Sequence, residues 1–313
     1  MIYITGGTGF LGSHIVKRLI AEGHEVRVLI RNRERAENEG RLAGLSVEWV
    51  HGDVTNPASL PESLEGVDQI IHTAAIAIEK GRSTYEEVNY QGTVNLVDAA
   101  KQAGIKRFVN ISQLGADPDL PYRFLASKGR AQAYVAQSGL DWTAFRPSVI
   151  WGPEDEFANI FARLVPITPI IFPIVGGEEA RFQPVWVEDV ASSAIAALND
   201  PTTIEKEFEL GGPEVLTLEQ IERRVMEAID ANRMMLHFPM PFLRIAVKVM
   251  ELALPNPPVT SSLLELLQVE NVTKDNALNR FVESPRSFDP GFLATYMQDF
   301  TVGETLRSFT GRT

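Results

Sequence analysis

Four glycines fall in the run Thr5-Gly6-Gly7-Thr8-Gly9-Phe10-Leu11-Gly12-Ser13, three of them spaced Gly7-x-Gly9-x-x-Gly12. Ile2-Tyr3-Ile4 precedes the run with strand character. Ile15, Val16, Leu19 and Ile20 follow it at helical spacing. Between a strand and a helix, glycines serve a tight turn with positive φ, an unobstructed approach of backbone to a pyrophosphate, and close packing of helix on strand. The helix N-terminus adds free N–H groups and the positive end of its dipole. Gly6, Thr8, Gly9, Phe10, Leu11 and Gly12 are therefore expected to cradle a dinucleotide.

The second strand, Glu25-Val26-Arg27-Val28-Leu29-Ile30, ends at Arg31, with Arg33 and Arg35 close behind and no acid at the strand end. An acidic residue there would accept a ribose 2′-OH, whereas arginine accommodates a 2′-phosphate. NADP(H) is thus the expected cofactor, ahead of NAD(H). The five histidines, His14, His24, His51, His72 and His237, lack metal-ligand spacing, and no metal site is expected. Without cysteine the chain has no disulfide, no cysteine-ligated zinc and no thiol nucleophile.

These residues need a platform. Strand-like runs recur at Ser46–Val50, Gln69–His72, Lys106–Ile111 and Trp142–Arg146, separated by helical patterns near 13–22, 57–64 and 84–103. The alternation predicts right-handed βαβ units: an α/β fold of Rossmann type, with a doubly wound parallel sheet and a smaller C-terminal α+β region. Residues 1–150 are expected to form the cofactor domain and 151–313 a substrate or docking region, the chain crossing back to the core near 182–200. A net charge of −12 with no basic cluster argues against nucleic-acid binding. No basic leader and no run of about 18 apolar residues is present, so a cytoplasmic protein without a spanning helix is expected.

Beyond Pro147 the texture changes. An apolar stretch from Phe157 to Val175 is broken by Pro166, Pro169 and Pro173, as in a lid or substrate loop. Val187 to about Leu198 reads as a helix, Glu207–Leu210 as a short strand closed by Gly211-Gly212, and Thr217-x-x-Gln220 as a capping-box start. In 242–254, Arg244, Lys248 and Glu251 share one narrow strip and nearly everything else is apolar. Such a helix is expected to bury most of its circumference in a small core; docking on a protein partner or a membrane surface is the other reading. Asp155 and Glu156 lie in a loop where they could meet substrate.

With these residues placed, the chain resembles the extended or atypical short-chain dehydrogenases/reductases, which include epimerase/dehydratase-like and NmrA-like members. The glycine run also fits that family's Gly6-x-x-Gly9-x-x-Gly12 variant. Gly52-Asp53-Val54 resembles its adenine-contacting turn, His72-Thr73-Ala74-Ala75 its turn over the cofactor, and Asn89-x-x-Gly92-Thr93 its fourth helix. Arg107–Ser112 is similar to the strand delivering the active-site serine, and Arg146-Pro147-Ser148-Val149 to the segment lining the nicotinamide. The likeness covers about residues 1–230 and, through Arg31, Gly211–Glu214 and Leu254–Pro258, looks most like the branch holding the nucleotide-binding accessory subunit of respiratory complex I and its bacterial relatives. It implies cofactor contacts from Asp53, Val54, Ala74, Ala75, Asn89, Lys128, Pro147 and Val149, and catalytic roles for Ser112 and Lys128. Arg181 matches an arginine that binds anionic substrate groups in sugar-nucleotide members.

One residue departs from the pattern. The family places a tyrosine four residues before the lysine, where its phenol transfers a proton. Here Lys128 is preceded at that distance by Phe124. Tyr122 is two residues early, about 200° away on a helix, and substitutes only if the helix starts late. Two functions remain open: an oxidoreductase acting on a carbonyl-type or apolar small molecule, with Ser112, Lys128 and Tyr122 at its site, or a weakly active or inactive NADP(H)-bound structural or assembly protein.

Overall fold

The computed structural model describes all residues except 39, 175–179, 298–299 and 311–313. Val175, the end of the apolar stretch, lies outside the described residues. Two compact units emerge. One comprises Met1–Pro147, Val187–Leu210 and Asp275–Pro285; the other comprises Ser148–Trp186, Gly211–Lys274 and Arg286–Thr313. The sequence placed a single boundary at 150 and a return near 182–200. In the structure the division falls at Pro147, and the chain enters the first unit twice more.

The first unit is built on seven strands: β1 (Ile2–Thr5), β2 (Val26–Ile30), β3 (Glu48–His51), β4 (Gln69–His72), β5 (Arg107–Ile111), β6 (Asp141–Pro147) and β7 (Lys206–Leu210). Their order is β7-β6-β5-β4-β1-β2-β3, and every pair is parallel. β1, β4 and β5 are buried along nearly their whole length, as expected of central strands covered on both faces. Helices α1 (Phe10–Ala21), α2 (Gly92–Gln102), α3 (Arg123–Ala136) and α4 (Val187–Leu198) accompany the sheet. α1 turns Leu11, Ile15, Val16 and Leu19 inward, as their spacing predicts. The Rossmann-type expectation holds.

A buried cation fixes the returning segment. Arg107 on β5 donates to the carbonyls of Asp141, Ala197 and Leu198 and to the hydroxyls of Thr143 and Thr203. It thereby ties the end of α4 to β5 and β6, and an unpaired guanidinium there would be costly. Strand order reverses between β1 and β4, where Thr5 faces His72 in register. In an open parallel sheet the crevice beyond such strand ends is where ligands bind.

Among its described residues the second unit carries three two-stranded pairings. Ile150–Trp151 pairs parallel with Val185–Trp186, Arg181–Phe182 antiparallel with Leu216–Thr217, and Ile171–Ile174 parallel with Met234–His237. Helix Leu218–Ala228 begins with the predicted capping box of Thr217 and Gln220. Helix α5, Met240–Ala253, corrects one expectation. Only Leu243 and Val247 are buried on it, so the helix covers the unit with one edge instead of sinking most of its circumference. Asp155 also differs. Fully buried, it accepts N–H donors from Gly152, Phe157, Ala158 and Asn159 and holds the entry to helix Ala158–Leu164; it is a structural cap, not an exposed loop acid. Burial pushes its carboxyl up to about 6 against those four donors.

Candidate functional site

Beyond the ends of β1 and β4 opens a cleft of about 290 Å³, bounded by the glycine turn, the end of β2, the turn after β3 and the turn after β4. Gly6 adopts φ +71°, and a Cβ there would lie 2.6 Å from the Ala74 nitrogen. Gly12 presses its Cα on the turn: a Cβ would lie 2.2 Å from the Gly6 carbonyl oxygen. Gly9 differs from both. As the N-cap of α1 it has ordinary extended backbone, and a Cβ would meet only the Gly6 oxygen at 3.1 Å. Its other surroundings are open, as a cradle for a ligand requires. Phe10, Leu11 and Gly12 of the first turn of α1 line this opening, and the first N–H groups of a helix have no helical acceptors.

Of the residues the sequence nominates, Gly6, Thr8, Gly9, Phe10, Leu11, Gly12, Arg31, Asp53, Val54, Ala74 and Ala75 line this cleft. Arg31 is its cationic wall. Arg33 is not a lining residue; it begins the short helix Arg33–Asn38 and pairs with Glu37 at 2.7 Å. Asp53 directs Oδ1 to the amide and hydroxyl of Thr55, so its carboxylate shapes the turn at the cleft edge. Asn89 is buried instead of facing the opening. It sits in a π-helical turn, Glu86–Gln91, and clasps the backbone of Ile76 by accepting from its N–H and donating to its carbonyl. Its effect is to fix the Ala74–Ile76 wall.

Sequence reasoning missed a polar chain beneath the cleft. Thr93 Oγ1 donates to the Asn89 carbonyl, so it accepts from His72 Nε2 at 2.9 Å, and His72 Nδ1 is left to accept from Thr5 Oγ1 at 2.6 Å. Burial, with Lys128 as a smaller contributor, pushes the His72 imidazole down to about 3 and keeps it neutral. Asn89 Nδ2 then donates to Ser127 Oγ, next to Lys128. The signal was a histidine and two threonines at inward positions of buried elements, where polar side chains must find partners.

Ser127 Oγ donates on to the Phe124 carbonyl, and Lys128 is the next residue along α3. Ser112 follows β5, is 4% exposed, and its Oγ has no hydrogen-bond partner among the described residues. Lys128, in the second turn of α3, donates from Nζ to the Ile111 carbonyl at 2.7 Å, the peptide group joined to Ser112. Burial pushes its ammonium down to about 8. Phe124, one turn earlier on α3, packs edge-on against Tyr85 with ring centroids 5.6 Å apart. α3 starts at Arg123, so Tyr122 is its N-cap with extended backbone and stands off the helix. No hydrogen bond joins Tyr122 to Ser112 or Lys128 among the described residues.

The remaining nominated residues belong to backbone scaffolding. The Pro147 carbonyl ends β6 and accepts from the Leu114 N–H. In the second unit the Val149 N–H donates to Asn271 Oδ1, which also accepts from Ser148 Oγ. Asn271 was not legible as a partner, because it lies more than a hundred residues away. Arg181 pairs with Glu270 at 2.8 Å on an exposed surface.

A family model described as NAD(P)H-binding matches residues 6–201. The mitochondrial NADH dehydrogenase [ubiquinone] 1 alpha subcomplex subunit 9 of Arabidopsis thaliana is 28% identical over 287 residues, 88% of this chain and 71% of that protein. A 3 beta-hydroxysteroid dehydrogenase/Delta 5-->4-isomerase of Mycobacterium tuberculosis is 30% identical over 261 residues, 72% of this chain and 69% of that protein. The crystal structure of a nucleoside-diphosphate-sugar epimerase from Staphylococcus aureus matches with a TM-score of 0.73 at 20% identity, covering 94% of this chain and 99% of that one. At that identity the likeness speaks for the fold alone.

Proposed function

The chain belongs to the NAD(P)H-binding family, as a short-chain dehydrogenase/reductase of extended type, and from that premise we propose that it is an NADP(H)-dependent oxidoreductase reducing or forming a carbonyl on an apolar small molecule. The observation that carries this reading is the buried Ser112 hydroxyl without a partner, beside a buried lysine held on the neighbouring peptide. A buried hydroxyl left unmade costs about 1–3 kcal/mol, and a substrate oxygen would recover it. When bound, the nicotinamide supplies hydride to the carbonyl carbon. Ser112 Oγ donates a hydrogen bond to the carbonyl oxygen, and Lys128 Nζ delivers the proton that completes the alcohol. The mycobacterial relative is named for a 3β-hydroxysteroid, an apolar alcohol, which supports the substrate class.

Arg31 carries the preference for NADP(H). It lines the cleft with no ion pair among the described residues, while Arg33 is occupied by Glu37. A charge-assisted bond to a 2′-phosphate contributes about 1.5–3 kcal/mol. Arg31→Ala is therefore expected to weaken NADP binding about tenfold to a hundredfold by titration and to leave NAD binding nearly unchanged. Equal wild-type affinity for the two would refute the assignment.

A second reading has its own observation. The Phe124 ring occupies the proton-donor position of the family, and the Arabidopsis relative is by name a subunit of an NADH dehydrogenase; both favour a cofactor-bound structural protein. The two readings part on turnover. Phe124→Tyr is expected to raise NADPH oxidation with model ketones about a hundredfold over a measurable wild-type rate. Any wild-type carbonyl turnover excludes a purely structural role. No turnover in either protein, with NADPH bound by both, excludes the oxidoreductase.

A further inference from the structure

Helix α5 leaves Phe242, Ile245, Val249 and Leu252 exposed at 67%, 63%, 58% and 90%. Their spacing of three, four and three residues puts them on one face, nearly opposite the edge that buries Leu243 and Val247. The preceding strand, Met234–His237, adds exposed Met234 and Leu236, two residues apart and thus on one side of the strand. Four large apolar side chains exposed on one helix face mark an interaction site.

Charge decides what covers it. The whole chain carries −12, yet between Asp230 and Glu251 there are Arg233, Arg244 and Lys248 and neither Asp nor Glu. None of the three enters an ion pair among the described residues. Arg244 donates to Gln268, Arg233 to carbonyls of Thr168 and Asn232, and Glu251 is turned aside to cap Ser261. A second copy packed face to face through this stretch would set Arg244 and Lys248 against like cations, and its one carboxylate on α5, Glu251, is engaged by Ser261. An anionic bilayer offers both hydrocarbon for the apolar face and phosphates for the cations. Among the described residues no helix is long and apolar enough to cross a membrane, so attachment would be from the surface.

We propose that α5 lies in the headgroup region of an anionic bilayer, with Phe242, Ile245, Val249 and Leu252 toward the acyl chains and Arg244 and Lys248 on lipid phosphates. The test is flotation of the full-length protein with vesicles of phosphatidylcholine containing roughly 30% phosphatidylglycerol, against phosphatidylcholine alone, with light scattering to give the oligomeric state. Wild type should float with the anionic vesicles, and less so in high salt. The double variant Ile245→Asp/Leu252→Asp should lose this by tenfold or more, and Lys248→Glu by about fivefold. These side chains are exposed, and retained NADP binding reports that each variant is folded. Equal flotation of wild type and the aspartate variant, or no flotation of wild type, would overturn the proposal. So would a wild-type dimer that the aspartate variant dissociates, which would assign the face to a second copy.

Discussion

Gly12→Ala is expected to destabilise the protein and to abolish cofactor binding together. The added Cβ would lie 2.2 Å from the Gly6 carbonyl oxygen and 2.8 Å from both the Gly6 carbonyl carbon and the Gly7 Cα, so it meets backbone, which cannot step aside as a side-chain tip can. Relief requires α1 to lift from the turn, and α1 carries Leu11, Ile15, Val16 and Leu19 into the core. Overpacking of this kind costs about 3 kcal/mol or more, which for a chain of this size lowers Tm by roughly 5 °C or more. Gly9→Ala provides the contrast. Its Cβ meets one oxygen at 3.1 Å, its backbone is ordinary for any residue, and the space it would fill is where a pyrophosphate approaches. That variant should melt within a few degrees of wild type and still bind NADP at least tenfold more weakly, by calorimetry and titration on the same samples. Wild-type affinity in Gly9→Ala would show that the cleft is not the pyrophosphate site.

The two glycines show what the sequence made legible. Turn, strand and helix are set by near neighbours, so the glycine run, the alternating strands and the capping box of Thr217 and Gln220 stand in the structure where spacing predicts them. What depends on distant parts of the chain did not show. Glu207–Leu210 reads as a strand, but nothing local says that it joins the central sheet beside β6, 63 residues earlier in register at Phe145 and Phe208. The apolar pattern of α5 says that a face seeks cover; it cannot say whether this chain supplies that cover. Asn89 has the chemistry to bind a ligand and is consumed by the Ile76 backbone that folding brings to it, whereas Asp155 is consumed by amides within four residues of itself, a local cap that its loop position did not suggest. Ser112 is the opposite case, a hydroxyl that folding buries and leaves without a partner among the described residues.

That difference gives Lys128 its weight. With Phe124 unable to donate, the buried ammonium beside Ser112 is the proton source in our reading, and Lys128→Met is expected to lower carbonyl reduction about 10²–10⁴-fold. The wild-type pH profile supplies a readout that a merely structural lysine would not move. Delivery requires the protonated form, and burial pushes this group down to about 8, so the reduction rate should fall about tenfold per pH unit above that value. Stability should run the other way. Between about 8 and the ordinary lysine value of 10.5 the unfolded chain still binds the proton that the folded chain has released, so the folded state gains as pH rises, by up to about 1.4 kcal/mol per unit. Below about 8 both states hold the proton, and this contribution has no slope. The gain should appear in urea melts as a difference between wild type and Lys128→Met, which lacks the titrating group. Falling activity with rising stability over the same interval separates loss of the proton from loss of the fold. A rate that stays flat to pH 10 would remove Lys128 from the proton-transfer role and leave it holding the Ile111 carbonyl and the cofactor ribose.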